Sequence, residues 1–279
     1  MKQRTLLIMA LVLMAILVVA IGSFFSSALA SWQGANNPVS NAALTPTLMP
    51  TDPPTPTPTP VPTDTPTPTP TPPPLVNGSS AYLIDATTGR VLLDVHSHQR
   101  VAMWSTTKIM TALLAIERLP PDQIVTVQPE ELNEVPDGMS VAQLLANDQL
   151  SVLHLLYGLL LPSGSDAAVV LAHAVSGNTA SFVALMNARA AQLGLSDTHY
   201  TNPYGADDPN HYSSAADLVK LARVAMRYSL FAHIVATKTF HLDANLSHTR
   251  YDWQNILNSF LQSYTGANGI KTGSNAEGT

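Results

Sequence analysis

Ser105 and Lys108 stand three residues apart in Ser105-Thr106-Thr107-Lys108. At the start of a helix that spacing puts both side chains on one face. A serine hydroxyl is a poor nucleophile until a base takes its proton. A lysine amine can be that base only when burial or a nearby cation lowers its pKa. Met103 and Trp104, just before Ser105, offer apolar cover, and Lys271 offers a second cation. The positive end of the helix favours alkoxide character on Ser105. Taken alone, Ser-x-x-Lys is a weak signal, because a lone serine here reads equally well as a helix N-cap. Two further clusters follow in order, Ser163-Gly164-Ser165-Asp166 and Lys271-Thr272-Gly273.

The elements that must position these groups are legible in outline. Ala81–Ile84 and Val91–Leu93 flank Thr87-Thr88-Gly89-Arg90 and read as a β-hairpin. From Ser105 to Leu119, apolar residues recur at helical spacing until Pro120-Pro121 stops the helix. A second helix runs from Ser151 to Pro162 and is apolar on most faces, so it is expected to be buried. Ala167–Val175 and Phe182–Leu193 read as two more helices, the latter closed by Gly194. Ser214-x-x-Asp217 resembles a capping box opening a helix through Leu218, Leu221 and Val224. Asn268–Gly273 reads as a short strand leaving a glycine turn. The order is hairpin, helical block, return to strand, which is α+β.

The chain has 279 residues, 22 of them proline, and most of the prolines lie between Pro38 and Pro74. The Thr-Pro repeat there lacks amide donors and fixes φ, so it is expected to be an extended stalk of about 3.1 Å per residue. Ahead of it, Lys2 and Arg4 precede an unbroken apolar run from Leu6 to Ile21. Residues 1–30 are thus a cleaved signal peptide, with Ala28-Leu29-Ala30 as the cleavage site, or an uncleaved anchor; the anchor is preferred because a stalk follows. The domain plan is leader at 1–30, stalk at 31–77 and one catalytic-size domain at 78–279, of about 200 residues, ample for a single core. A net charge of −6, with no basic stripe, argues against a nucleic-acid partner. The absence of cysteine excludes disulfides, thiolate metal sites and cysteine nucleophiles.

The three clusters, in this order and context, resemble the motif set of penicillin-binding proteins and class A β-lactamases. Ala81–Leu92, Ser105–Ala112 and Asn202-Pro203-Tyr204-Gly205 through Ser213 narrow the resemblance to the low-molecular-mass D-alanyl-D-alanine carboxypeptidases, serine peptidase family S11. It covers about residues 78–279. The resemblance implies a β-lactamase/transpeptidase-like fold, an antiparallel sheet with a helical cluster. It implies that Ser105 attacks the penultimate D-alanine carbonyl of a peptidoglycan stem peptide, that Lys108 accepts its proton and that Ser163 passes a proton to the leaving amine. Ser165, Lys271, Thr272, Gly273 and Ser274 are implied to bind substrate. Lys271 and Thr272 would hold its terminal carboxylate, and the amides of Ser105 and Ser274 would form the oxyanion hole. β-Lactams are implied as inhibitors, no metal or other cofactor is called for, and the expected place is the extracytoplasmic face of a bacterial membrane.

Two departures stand out. Ser165 replaces the usual Asn of the middle motif, and its shorter reach is expected to reduce turnover. In the family two further strands follow the Lys-Thr-Gly strand, so the sheet is expected to lack its C-terminal strands here and to leave the Lys271 strand with an unpaired edge. Three other functions compete. A class A β-lactamase needs a Glu-x-x-Leu-Asn element after the middle motif, and the only similar string, Glu131-Leu132-Asn133, precedes it. A D,D-endopeptidase uses the same residues. A weak wall-binding module is disfavoured by intact Ser105, Lys108 and Lys271. His96 and His98 read as solvated hairpin residues rather than metal ligands. Asp207 and Asp208 read as loop residues beside the site, and His211 as a hydrogen-bonding loop residue rather than a base.

Overall fold

A computed structural model describes residues 76–274. The leader and stalk assigned to residues 1–75 lie outside the described residues. Among those described, no single helix is long and apolar enough to cross a membrane.

Strands β1 (Ala81–Ile84) and β2 (Val91–Val95) form the expected hairpin, with Ala81 opposite Val95. Its turn is tied by Asp85, whose carboxylate accepts the amides of Thr87 and Thr88 at 2.9 and 2.7 Å. The expected combination of antiparallel strands and a helical cluster is present, and among the described residues the strands are resolved as four two-stranded antiparallel pairs. Val101–Ala102 (β3) pairs with Tyr212–Ser213 (β6), Ile124–Thr126 (β4) with Gln149–Ser151 (β5), and Thr239–Leu242 (β7) with Tyr251–Gln254 (β8). The segment around Lys271, expected as a strand, joins no ladder among the described residues. A strand exists only where a neighbour takes its amides and carbonyls, and no described strand does so.

The helical block supplies the core. The chain enters it through one 3-10 turn, Trp104–Thr107, and helix α1 (Lys108–Arg118) begins only at Lys108. The sequence pattern carried the helix back to Ser105; the tighter turn takes up those four residues, as short 3-10 stretches commonly do at helix ends. Leu119 turns extended ahead of Pro120-Pro121, as those prolines require. After a short α2 (Pro129–Asn133), helix α3 (Val152–Leu160) is capped by Ser151, whose side chain accepts the His154 amide. Helix α4 (Ser165–Ser176) is buried from Ser165 through Ala172 and packs against α1 and α3. Helices α5 (Thr179–Gln192) and α6 (Ala215–Ala225) open on Asn178 and Ser214, whose side chains accept amides of the first turn. These caps satisfy donors that a helix end otherwise leaves free.

The stretch after α6 left no expectation from sequence. It holds α7 (Ser229–Ala236), the β7–β8 hairpin and α8 (Asn258–Ser263). β8 alternates strictly, with Tyr251 and Trp253 buried and Asp252 and Gln254 exposed. Phe240 stacks on Tyr157 of α3 at 3.9 Å between ring centroids, and the Trp253 indole donates to the Ala142 carbonyl at 2.9 Å. The hairpin is thereby clamped to the central helices beside the cleft.

Candidate active site

Lys108 is the first residue of α1 and has no solvent exposure. Its amine lies 3.2 Å from Ser105 Oγ and donates to the Tyr204 carbonyl at 2.7 Å. Burial holds the Lys108 amine well below the usual lysine range, the Lys271 charge lowers it further, and the buried Asp166 carboxylate works the other way. This is the combination a serine hydroxyl requires of its base: contact, and a proton affinity low enough for the amine to be free of its proton.

Three segments converge on this pair. Gly205 has φ +96°, and a Cβ there would meet the Trp104 carbonyl oxygen at 1.9 Å and the Ser105 nitrogen at 2.9 Å. Only glycine allows the loop backbone to lie so close against the nucleophile's turn. Asn202 folds that loop: its Oδ1 accepts the amides of Gly205 and Ala206 at 2.7 and 3.0 Å. Thr111 Oγ1 donates to the Pro203 carbonyl at 2.6 Å. From the other side, Gly273 approaches so closely that a Cβ would stand 2.9 Å from the Met103 carbonyl and 3.5 Å from the Ser105 nitrogen. Lys271 is partly buried, and burial holds its amine down to about 8.

The middle motif divides. Ser163 is 1% exposed, sits at φ +65° and lines the cleft, its Oγ without a hydrogen-bond partner among the described residues. Trp104, also on the cleft wall, has φ +42°. Non-glycine residues in that region carry strain of about 1–3 kcal/mol, which persists where the surroundings hold it in place. Ser165, expected to touch substrate, has no exposed surface; it is the first residue of α4, and its amide is bonded to the Ser140 carbonyl at 2.8 Å. Asp166 closes the motif, accepting the amides of Ala142 and Leu144 at 2.8 and 3.0 Å, and so moors the Asp137–Leu144 segment that forms one wall of the cleft. That mooring had no signal in the motif itself.

The cleft encloses about 440 Å³ and is lined by Ser105, Ser163, Thr272 and Ser274 together with Asp137 and Asp207. One cavity therefore receives the serine, the second hydroxyl and the Lys-Thr-Gly segment. Asp208 instead stays in its loop, accepting the Asn210 amide at 2.7 Å. His211 bonds to Thr107 and Thr201. His98 pairs with Asp197 at 3.0 Å in the exposed hairpin region, and no cluster of three metal-ligating side chains occurs among the described residues. Glu131 is occupied by the Gln128 amide at 2.8 Å in the capping box of α2.

Residues 67–278 match the family described as D-alanyl-D-alanine carboxypeptidase, peptidase S11. The chain is 38% identical over 217 residues to a D-alanyl-D-alanine carboxypeptidase of Streptomyces sp. strain K15, covering 73% of this chain and 74% of that protein. It is 34% identical over 200 residues to the D-alanyl-D-alanine carboxypeptidase DacF of Bacillus subtilis, covering 71% of this chain but spanning only about half, 51%, of that relative's length. The crystal structure of the Streptomyces K15 DD-transpeptidase is similar with a TM-score of 0.68 and 35% identity, over 73% of this chain and 82% of that one. Penicillin-binding protein 5 of Haemophilus influenzae is similar at 0.65 and 31%, over 74% of this chain and 60% of that one.

Proposed function

Because the chain belongs to the S11 family of D-alanyl-D-alanine carboxypeptidases, we propose that it removes the terminal D-alanine from peptidoglycan stem peptides through an acyl-enzyme on Ser105. One observation carries the reading: a fully buried lysine amine, held far below its ordinary pKa, in hydrogen-bond contact with a serine hydroxyl that opens on a cleft.

In the proposed reaction Lys108 accepts the Ser105 Oγ proton as Oγ bonds to the penultimate D-alanine carbonyl carbon. The resulting oxyanion is met by the amides of Ser105 and Ser274, where donors fixed in advance are most effective. The C–N bond then breaks, and the proton returns through the free Ser163 hydroxyl to the leaving D-alanine amine. Lys271 and Thr272 hold the substrate's terminal carboxylate, a task suited to a cation and a hydroxyl donor. Water, activated by Lys108, cleaves the ester and restores Ser105. A β-lactam would enter the same steps, but its leaving amine stays tethered and the ester persists. The run Leu6–Ile21 behind Lys2 and Arg4 supports placement at the outer face of a bacterial membrane.

A second reading differs only in the acceptor. The similar Streptomyces structure is that of a DD-transpeptidase, and an acyl-enzyme of this kind can pass its acyl group to an amine instead of water. Labelling with fluorescent penicillin, then D-alanine release from a pentapeptide with and without an amine acceptor, tests both. Labelling that requires Ser105, with D-alanine released in water, supports the carboxypeptidase. An acyl product that forms only with the amine supports transfer. Equal labelling of Ser105→Ala and wild type would end both readings.

A further inference from the structure

His211 is 4% exposed and lies next to β6, and sequence separates it by 104 positions from the residue it bonds near the nucleophile. Its Nδ1 accepts the Thr201 amide at 3.0 Å, so that nitrogen carries no proton. The proton is therefore on Nε2, which donates to Thr107 Oγ1 at 2.7 Å. Two bonds thus fix a neutral imidazole in one tautomer. Thr107 is fully buried and adjoins Lys108, while Thr201 opens the loop whose Pro203 and Tyr204 carbonyls receive Thr111 and Lys108.

We infer that His211 is a positioning residue for Lys108: it fastens the Thr201–Gly205 loop to Thr107 and so keeps the Tyr204 carbonyl on the lysine amine. Lys108 and Thr111 reach the later residues Tyr204 and Pro203 of the loop, but among the hydrogen bonds of the described residues only His211 joins Thr201 to Thr107. The Tyr200 ring closes one side edge-on at 5.9 Å. The Tyr200 phenol ring packs against the imidazole, and the charged or titratable groups that act on it electrostatically are Asp208, His199 and Asp207. Burial is the largest influence and holds the imidazole down to about 4, with Asp208 and Asp207 opposing and His199 reinforcing it. The strut therefore stays neutral, with its acceptor intact, at neutral pH, well above about 4. Protonation would place an N–H against the Thr201 amide and break the joint.

The inference rests on the acylation chemistry proposed above, and its test reads Lys108 directly. In the full 279-residue chain carrying lysine labelled with ¹³C at Cε, the Lys108 titration is followed by NMR in wild type, His211→Ala, Thr107→Val and His211→Gln. Freeing the loop removes the Tyr204 acceptor, which lowers the midpoint, but it also lets water reach an amine whose largest perturbation is burial, so the midpoint is expected to rise by about one pH unit or more in the first two variants. Gln reaches the Nε2 position with a donor, and is expected to bring the midpoint most of the way back. The acylation rate with fluorescent penicillin at neutral pH falls roughly 100-fold in His211→Ala, the scale of a misplacement of about 1 Å. A midpoint unmoved in folded His211→Ala and Thr107→Val overturns the inference, as does a Gln variant no better than Ala. Variants that show these NMR shifts, in a protein whose wild type never labels, count against the acylation reading while sustaining the strut.

Discussion

Replacing Gly205 by alanine tests the closest approach in the site. The added Cβ would stand 1.9 Å from the Trp104 carbonyl oxygen and 2.2 Å from its carbon, both backbone atoms that cannot rotate away. To reach ordinary van der Waals contact the loop must retreat by about 1.5 Å, and alanine must in addition hold φ near +96° at a cost of about 1–3 kcal/mol. The adjoining Tyr204 carbonyl moves with it. A retreat on that scale takes the 2.7 Å bond to Lys108 beyond hydrogen-bond range, and leaving a buried polar group unsatisfied costs about 1–3 kcal/mol. Together these give a loss of about 2–6 kcal/mol, or roughly 4–24 °C in melting temperature for a domain of this size. Acylation by fluorescent penicillin is expected to slow by about 100-fold or more, since the base itself is displaced. Thermal melting and the second-order acylation rate measure the two effects on one sample. A Gly205→Ala protein that melts within about 2 °C of wild type and acylates within about threefold of its rate would show that the loop does not hold the lysine.

Other substitutions separate structure from chemistry. Ser165→Ala removes a hydroxyl that is buried without a partner, so melting is expected to be unchanged or higher, by up to about 1 kcal/mol of stability; an acylation rate cut tenfold would instead place Ser165 in contact with substrate. For Lys271 the sign follows from its lowered amine, which is cationic below about 8 and neutral above it. Affinity for a penicillin carboxylate should therefore fall as pH rises through about 8, while a penicillin methyl ester should show no such limb. Parallel limbs for the acid and the ester would remove Lys271 from carboxylate binding.

Much of the fold announced itself locally. The Val101–Ala102 to Tyr212–Ser213 pair did not, because two residues carry no period and their partners lie over a hundred positions away. The hairpin at β1–β2 was legible from Gly89 and its flanking apolar runs, and the capping serines and prolines bounded most helices. The β7–β8 hairpin carries the alternation of a half-buried strand in Tyr251–Gln254, yet the eight-residue connection between its strands lacks a tight-turn signal. In the site, spacing put Ser105 and Lys108 on one face, while the arrival of Ser163 and Thr272 beside them was implied only by the resemblance of the three clusters to a known motif set. The enclosure of Ser165 could not be read, because motif position says nothing of which way the first turn of α4 faces. The tie from His211 to Thr107 likewise exists only once distant segments meet.

The short β3–β6 ladder sets an order of events. Val101–Ala102 leads directly into the turn bearing Ser105, but its partner residues are made more than a hundred positions later. Closing so long a loop is entropically unfavourable until other contacts have drawn the chain together, and such pairings form slowly. The nucleophile and its base thus emerge early in synthesis and stay unassembled, with the lysine still solvated and protonated, until the later half has collapsed around them. Penicillin reactivity would then be acquired at the end of folding, and a time course of labelling during refolding would report completion of the domain rather than formation of its helices.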